Sequence, residues 1–135
     1  MLQARTFLSL GAFSAGCAVL LNAALAHIPT TGQILSPASL QNALNMHQLH
    51  ALGLLLVGLM AVRSEAPSRW CLAGGWLMVT GTLLFSVNLY LRGLAGIDTF
   101  RALVPWGGAA YLLAWLSLLI GNLRGPRNRV QPFRQ

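Results

Sequence analysis

The side chains best equipped for chemistry in this chain are three histidines, His27, His47 and His50. His47 and His50 stand three apart, which puts both imidazoles on one side of a helix. Neutral imidazoles so placed can share a metal ion, give haem iron an axial ligand, hydrogen-bond a quinone headgroup or pass on a proton. Two histidines leave zinc short of the three or four ligands it takes. His27 is a further donor, but no spacing forces it toward the pair. A plainer alternative puts these rings at the membrane interface, bonded to Asn45, Gln48 or loop carbonyls. A second polar group lies in Ser86-Val87-Asn88-Leu89-Tyr90-Leu91-Arg92. Asn88 and Arg92, four apart, share a helical face. Asn88 with Ser86 can bond a neighbouring helix, Arg92 can snorkel to an interface, and either can touch a ligand. Carboxylates are limited to Glu65 and Asp98, so carboxylate acid–base catalysis has little to work with. There is no Walker motif, Gly-x-Ser-x-Gly, Cys-x-x-Cys-His or paired-carboxylate site. The reading is a non-enzyme with no resident cofactor. A metal, haem or quinone held by His47 and His50, joined by His27, is the alternative.

The elements that must position these residues are membrane helices. The chain has 135 residues, 56% of them hydrophobic and 8% charged, against about 25% charged in an ordinary soluble domain. Apart from histidine, no charged side chain occurs from Thr6 to Val62, a run of 57 residues that no folded soluble surface tolerates. Cys17 and Cys71 sit inside apolar runs and are read as small buried hydrophobes rather than disulfide partners.

Four apolar segments are expected within a single domain, residues 1–123: helices at about 7–26, 38–62, 70–91 and 105–123. The first begins like a secretory signal, with Ala24-Leu25-Ala26 as a cleavage site. Cleavage would leave His27 as an amino terminus able to chelate copper. The segment is read instead as a retained transmembrane helix. The second is the informative one. Ala51 to Val62 is continuously apolar, yet 12 residues cover only about 18 Å of a core roughly 30 Å thick. That helix must begin earlier, and Ser36-Pro37 supplies a cap and a first turn. His47, Gln48 and His50 are therefore drawn into or against the apolar slab, in the opening turns. In the third, Gly74, Gly75 and Gly81 allow close backbone approach. Small residues recur at four-residue spacing elsewhere, Gly11 with Ala15, Ala12 with Gly16, Gly107 with Tyr111 and Ala110 with Ala114, and close helix packing is the ordinary explanation. Asp98 or Thr99 is expected to cap a short interfacial helix before the fourth. Tyr90, Trp106 and Trp70 suit the aromatic belts. The tail, 124–135, is polar, Arg-rich and expected to be disordered.

Four crossings collect Arg5, Arg63, Arg69, Arg124, Arg127, Arg129 and Arg134 on one side and leave Arg92 and Arg101 on the other. The positive-inside rule then predicts that both termini are cytoplasmic. The net charge of +7 thus reads as a topology signal with anionic lipid headgroups as counter-charge. Nucleic acid would need a folded basic surface with base-reading elements, which this pattern lacks.

Several pieces in order resemble a known family. They are Ala23-Ala24-Leu25-Ala26-His27, Leu35-Ser36-Pro37, Met46-His47-Gln48-Leu49-His50-Ala51-Leu52, Leu84-Phe85-Ser86-Val87-Asn88-Leu89-Tyr90-Leu91 and Pro105-Trp106-Gly107-Gly108. Over roughly residues 8–123 the chain resembles the small four-helix bacterial membrane proteins of domain-of-unknown-function family 423. Relatives carry a tyrosine before His-Ala-Leu, where this chain has Leu49. The resemblance implies an all-α, integral membrane four-helix bundle in the bacterial inner membrane, and imports no activity. The functional expectation is an accessory or stabilising subunit of a larger membrane complex, partnered by lipids and by other subunits or copies of itself. A small transporter or channel ranks below it, since charge within the spans is nearly absent.

Overall fold

A computed structural model describes residues 2–27, 35–64 and 66–124. The described residues are helical apart from short connections. The elements are α1 (Leu2–Leu25), α2 (Pro37–Val62), α3 (Arg69–Gly81), a π-helical segment (Thr82–Val87), α4 (Asn88–Ala95), a 3-10 turn (Arg101–Leu103) and α5 (Val104–Leu123). α3, the π segment and α4 run on as one span, so four helices are long and apolar enough to cross a membrane.

The starts follow from local chemistry. Ser36 caps α2 by accepting the Ser39 amide at 3.2 Å, with Pro37 in the first turn, where its missing N–H costs nothing. Ser68 caps α3 in the same way through the Cys71 amide. The helices reach further than their apolar cores: α1 starts at Leu2 rather than near Phe7, and the third span runs to Ala95 rather than Leu91. Hydropathy marks the part that lies in hydrocarbon, whereas backbone bonding continues until a stop signal ends it. For α4 the stop is Gly96, at φ 71°, a left-handed conformation that suits glycine.

The bundle is built from two closely packed pairs, α1 with α2 and α3 with α5, joined by α2 against α3 and the π segment. Toward the end that holds the termini the core is Phe7, Leu54, Val57, Cys71, Met78, Ala114 and Leu118. Toward the other end it is Leu40, Ala43, Leu89 and Tyr90. Glycine makes the close approaches possible. A Cβ at Gly107 would sit 2.5 Å from the Phe85 backbone nitrogen, so α5 presses on the π segment where only a hydrogen fits. Gly16 differs: a Cβ there would meet nothing, so the Ala12/Gly16 pair faces outward. Glu65, the segment 28–34 with Pro29, and the Arg-rich tail from residue 125 lie outside the described residues.

Three expectations are corrected. No side chain caps the 3-10 turn: it follows Phe100, and the Asp98 carboxylate turns back to pair with Arg92. Arg92 therefore holds that carboxylate within its own chain, its side chain 14% exposed, instead of snorkelling freely. Tyr90 leaves the aromatic belt and is buried, because its hydroxyl finds a partner inside the bundle.

Candidate functional site

α2 has 26 residues, about 39 Å of helix against a hydrocarbon core about 30 Å thick. His47 is its eleventh residue, so on a centred helix the ring's Cα lies about 10 Å below the edge of the core. That is deeper than the opening turns. Water is scarce at such depth, and each polar atom must find its partner in the protein.

His50 is 2% exposed. Its Nδ1 lies 2.7 Å from the Met46 carbonyl, one turn back, and Trp115 Nε1 lies 3.1 Å from its Nε2. A carbonyl only accepts and an indole N–H only donates. Nδ1 therefore carries the proton, Nε2 accepts from Trp115, and neither nitrogen has a lone pair left for an ion. Tyr111 stacks on the ring, with centroids 3.4 Å apart.

Around Tyr111 lies a polar network of which the sequence pointed only to Ser86, expected to bond a neighbouring helix, and not to Thr82 or Tyr111. Thr82 donates to the Met78 carbonyl and Ser86 to the Ala43 carbonyl, each at 3.0 Å. The Tyr111 hydroxyl lies 3.2 Å from Thr82 Oγ1 and 3.1 Å from Ser86 Oγ. Two of three hydroxyl protons end on backbone carbonyls, and the third has two acceptors. Thr82 and Ser86 belong to the π segment, a feature often found at functional sites. Their four-residue spacing was the available signal, one that apolar neighbours on both sides masked.

His47, 5% exposed, turns the other way. Its Nε2 lies 2.8 Å from Ser14 Oγ of α1, and its Nδ1 3.3 Å from the Tyr90 hydroxyl of α4. This trio borders a cavity of about 280 Å³ that is almost wholly apolar, lined by residues of α1, α2, α3, the π segment and α4, among them Phe13, Cys17, Leu54 and Val87. Ser14 was invisible in sequence because a lone serine in an apolar run has no motif. The two histidines thus share a helix side but serve different neighbours. His27 closes α1 exposed, thirteen residues beyond Ser14 and hence about 20 Å along the axis from the trio. Among the described residues no three His, Cys, Asp or Glu side chains cluster as metal ligands.

Asn88 and Arg92 act at the end remote from the termini. Asn88 Nδ2 donates to the Phe100 carbonyl, and Arg92 pairs with Asp98, so together they fasten the connection to α5. Asn88 Oδ1 is buried without a partner among the described residues.

Fold and interior define an all-α membrane protein of four helices whose buried polar groups lie between the helices. A family model described as "Protein of unknown function (DUF423)" matches residues 10–108, and the chain belongs to that family. It is 33% identical to the UPF0382 membrane protein YwdK of Bacillus subtilis (strain 168) over 123 residues, 89% of this chain and 98% of that protein. It is 31% identical to a UPF0382 membrane protein of Staphylococcus haemolyticus over 84 residues, 62% of this chain and 66% of that one. The UPF0382 inner membrane protein YgdD of Escherichia coli (strain K12) is 30% identical over 91 residues, 67% of this chain and 68% of that protein. No solved structure matches.

Proposed function

We propose that this chain is a non-enzymatic inner-membrane protein that acts as an accessory or stabilising subunit, assembling through α1 with other membrane subunits or with copies of itself. The observation that carries the reading is the outward face of α1. Only 11% of its most apolar stretch is buried, against 44% in α2, and Ala12 and Gly16 lie on the open side. Lipid gains nothing from small residues, whereas a second helix can approach closely over them. The buried hydroxyls and imidazoles support the same reading, since they bind helix to helix. A metal or haem held jointly by His47 and His50 would have to displace the Trp115 donor from His50 Nε2, the one nitrogen of that ring with a lone pair.

Both termini face the cytoplasm in this reading. Arg5, Arg63, Arg69 and Arg124 gather at the terminal end, with the Arg124 guanidinium 5.4 Å from the Trp70 ring centroid. Arg92 at the other end is offset by Asp98. Anionic headgroups are the counter-charge of the arginine-rich face.

Native electrophoresis of the full chain in mild detergent tests the assembly. A species larger than a monomer is expected, and Gly16→Leu, at a position where an added Cβ has nothing within 4 Å, should reduce it to a monomer without lowering its melting temperature. A wild-type monomer, or an assembly indifferent to Gly16→Leu, would refute the reading.

A further inference from the structure

Ser14, His47 and Tyr90 are three groups that each donate and accept. A hydroxyl, a neutral imidazole and a phenol hold three protons between them, and two bonds connect them. If Ser14 donates to Nε2, then Nδ1–H donates to Tyr90 and the phenol proton is left over. If Tyr90 donates to Nδ1, then Nε2–H donates to Ser14 and the serine proton is left over. Whichever tautomer the ring takes, one hydroxyl proton has no acceptor among the described residues, and both hydroxyl-bearing residues line the cavity. An unclaimed donor in hydrocarbon is costly, and nothing else in that cavity answers it.

We propose that the cavity binds a lipid-soluble quinone, one ring carbonyl accepting the spare proton of Ser14 or Tyr90 and the tail running out into the bilayer. The site is independent of the assembly reading, since all its residues come from one chain. Its volume, about 280 Å³, is at the small end for ligand sites, which start near 300 Å³, and suits a substituted ring whose tail stays outside. The occupant must be uncharged, since the walls offer no counter-ion, and must reach the site through lipid. Depth separates a quinone from the commonest membrane carbonyls. Glycerolipid esters are held at the headgroup boundary, about 10 Å above His47 on a centred α2. A quinone ring is free to lie at that depth. Binding alone is claimed, with no electron transfer.

The test uses the full chain in lipid nanodiscs, titrated with a benzoquinone bearing a decyl tail while the melting temperature is read. A ligand that prefers the folded state raises it saturably. Ser14→Ala with Tyr90→Phe, which keeps the ring volumes, should weaken the midpoint about tenfold through the lost hydrogen bond. Cys17→Phe, which fills the cavity while Ser14, His47 and Tyr90 are all retained, should abolish the rise. An azido-quinone photolabel on the wild type, competed by the decyl quinone, should map to α1 or α2 peptides holding Ser14 or His47, and this arm needs no variant to fold. No saturable rise, an equal rise with decane or a diacylglycerol, indifference to both variants, or labelling elsewhere would each overturn the proposal.

Discussion

The bundle contains two three-proton networks of nearly the same composition, and they end differently. Around α5, Thr82, Ser86 and Tyr111 send their protons to the Met78 carbonyl, the Ala43 carbonyl and one another, with His50 stacked above and locked between Met46 and Trp115. Around α1, Ser14, His47 and Tyr90 bond, among the described residues, only to one another. The first network terminates on acceptors that cannot donate, so its direction is fixed. The second terminates on hydroxyls, so its direction can reverse and one proton is always free. Two histidines less than a turn apart therefore differ in function because of what their partners are able to do, which spacing along α2 does not reveal. The fixed network lies where α5 presses Gly107 onto the π segment, and the reversible one lies beside space.

The largest effect should come from breaking the fixed side at its tightest point. Gly107→Leu sets a side chain against the backbone of Leu84 and Phe85, which cannot step aside as a flexible side chain would. We expect a loss of about 3 kcal/mol, the upper part of the overpacking range, in reversible unfolding from mixed micelles. Hydrogen exchange should rise in α5 and the π segment while α1 keeps its protection. Uniform loss of protection would mean that the two sides are not separable.

The next effect is smaller and compares the histidines directly. His50→Leu strands the Trp115 indole N–H in hydrocarbon and removes the ring stacked on Tyr111, a cost of about 1–2 kcal/mol. Adding Trp115→Phe removes the stranded donor and should restore about half of that stability. His47→Leu breaks two bonds and leaves the Ser14 and Tyr90 hydroxyls without their partner, so it should cost more, about 2–3 kcal/mol. Equal losses at the two positions would erase the distinction between the networks.

Much of this architecture was legible because membranes impose simple rules. The shortness of Ala51–Val62 in pure hydrocarbon required α2 to reach back, and Ser36-Pro37 marked where it begins. Four spans followed from the charge-free runs. The π segment was not legible, since Thr82–Val87 has the composition of any apolar turn, and the close approach of Gly107 to it appears only in three dimensions. Tyrosine near a helix end usually faces headgroups, so the sequence points Tyr90 to the interface, whereas the buried His47 offers its hydroxyl a partner inside the bundle. Ser14 and Trp115 carry no pattern in one dimension, and Tyr111 enters one only through its spacing from Gly107. Their part in the candidate site depends on which helices become neighbours.

The smallest expected effect discriminates best between a fixed and a reversible network. Ser86→Ala removes a donor committed to the Ala43 carbonyl, together with one of the two acceptors of the Tyr111 proton, and should cost about 1 kcal/mol. Ser14→Ala removes a hydroxyl from a chain that can re-form by reversing. With alanine there, the His47 ring can take its proton on Nε2 and accept from Tyr90 at Nδ1, or donate from Nδ1 to the phenol. Either way one bond and one unclaimed proton remain, as before, so the change should cost less than about 0.6 kcal/mol, the average for a hydrogen bond between membrane helices. Paired unfolding curves for the two alanine variants check this. If Ser14→Ala proved as costly as Ser86→Ala, the serine proton would have had a fixed acceptor, and the donor surplus at the cavity would not exist.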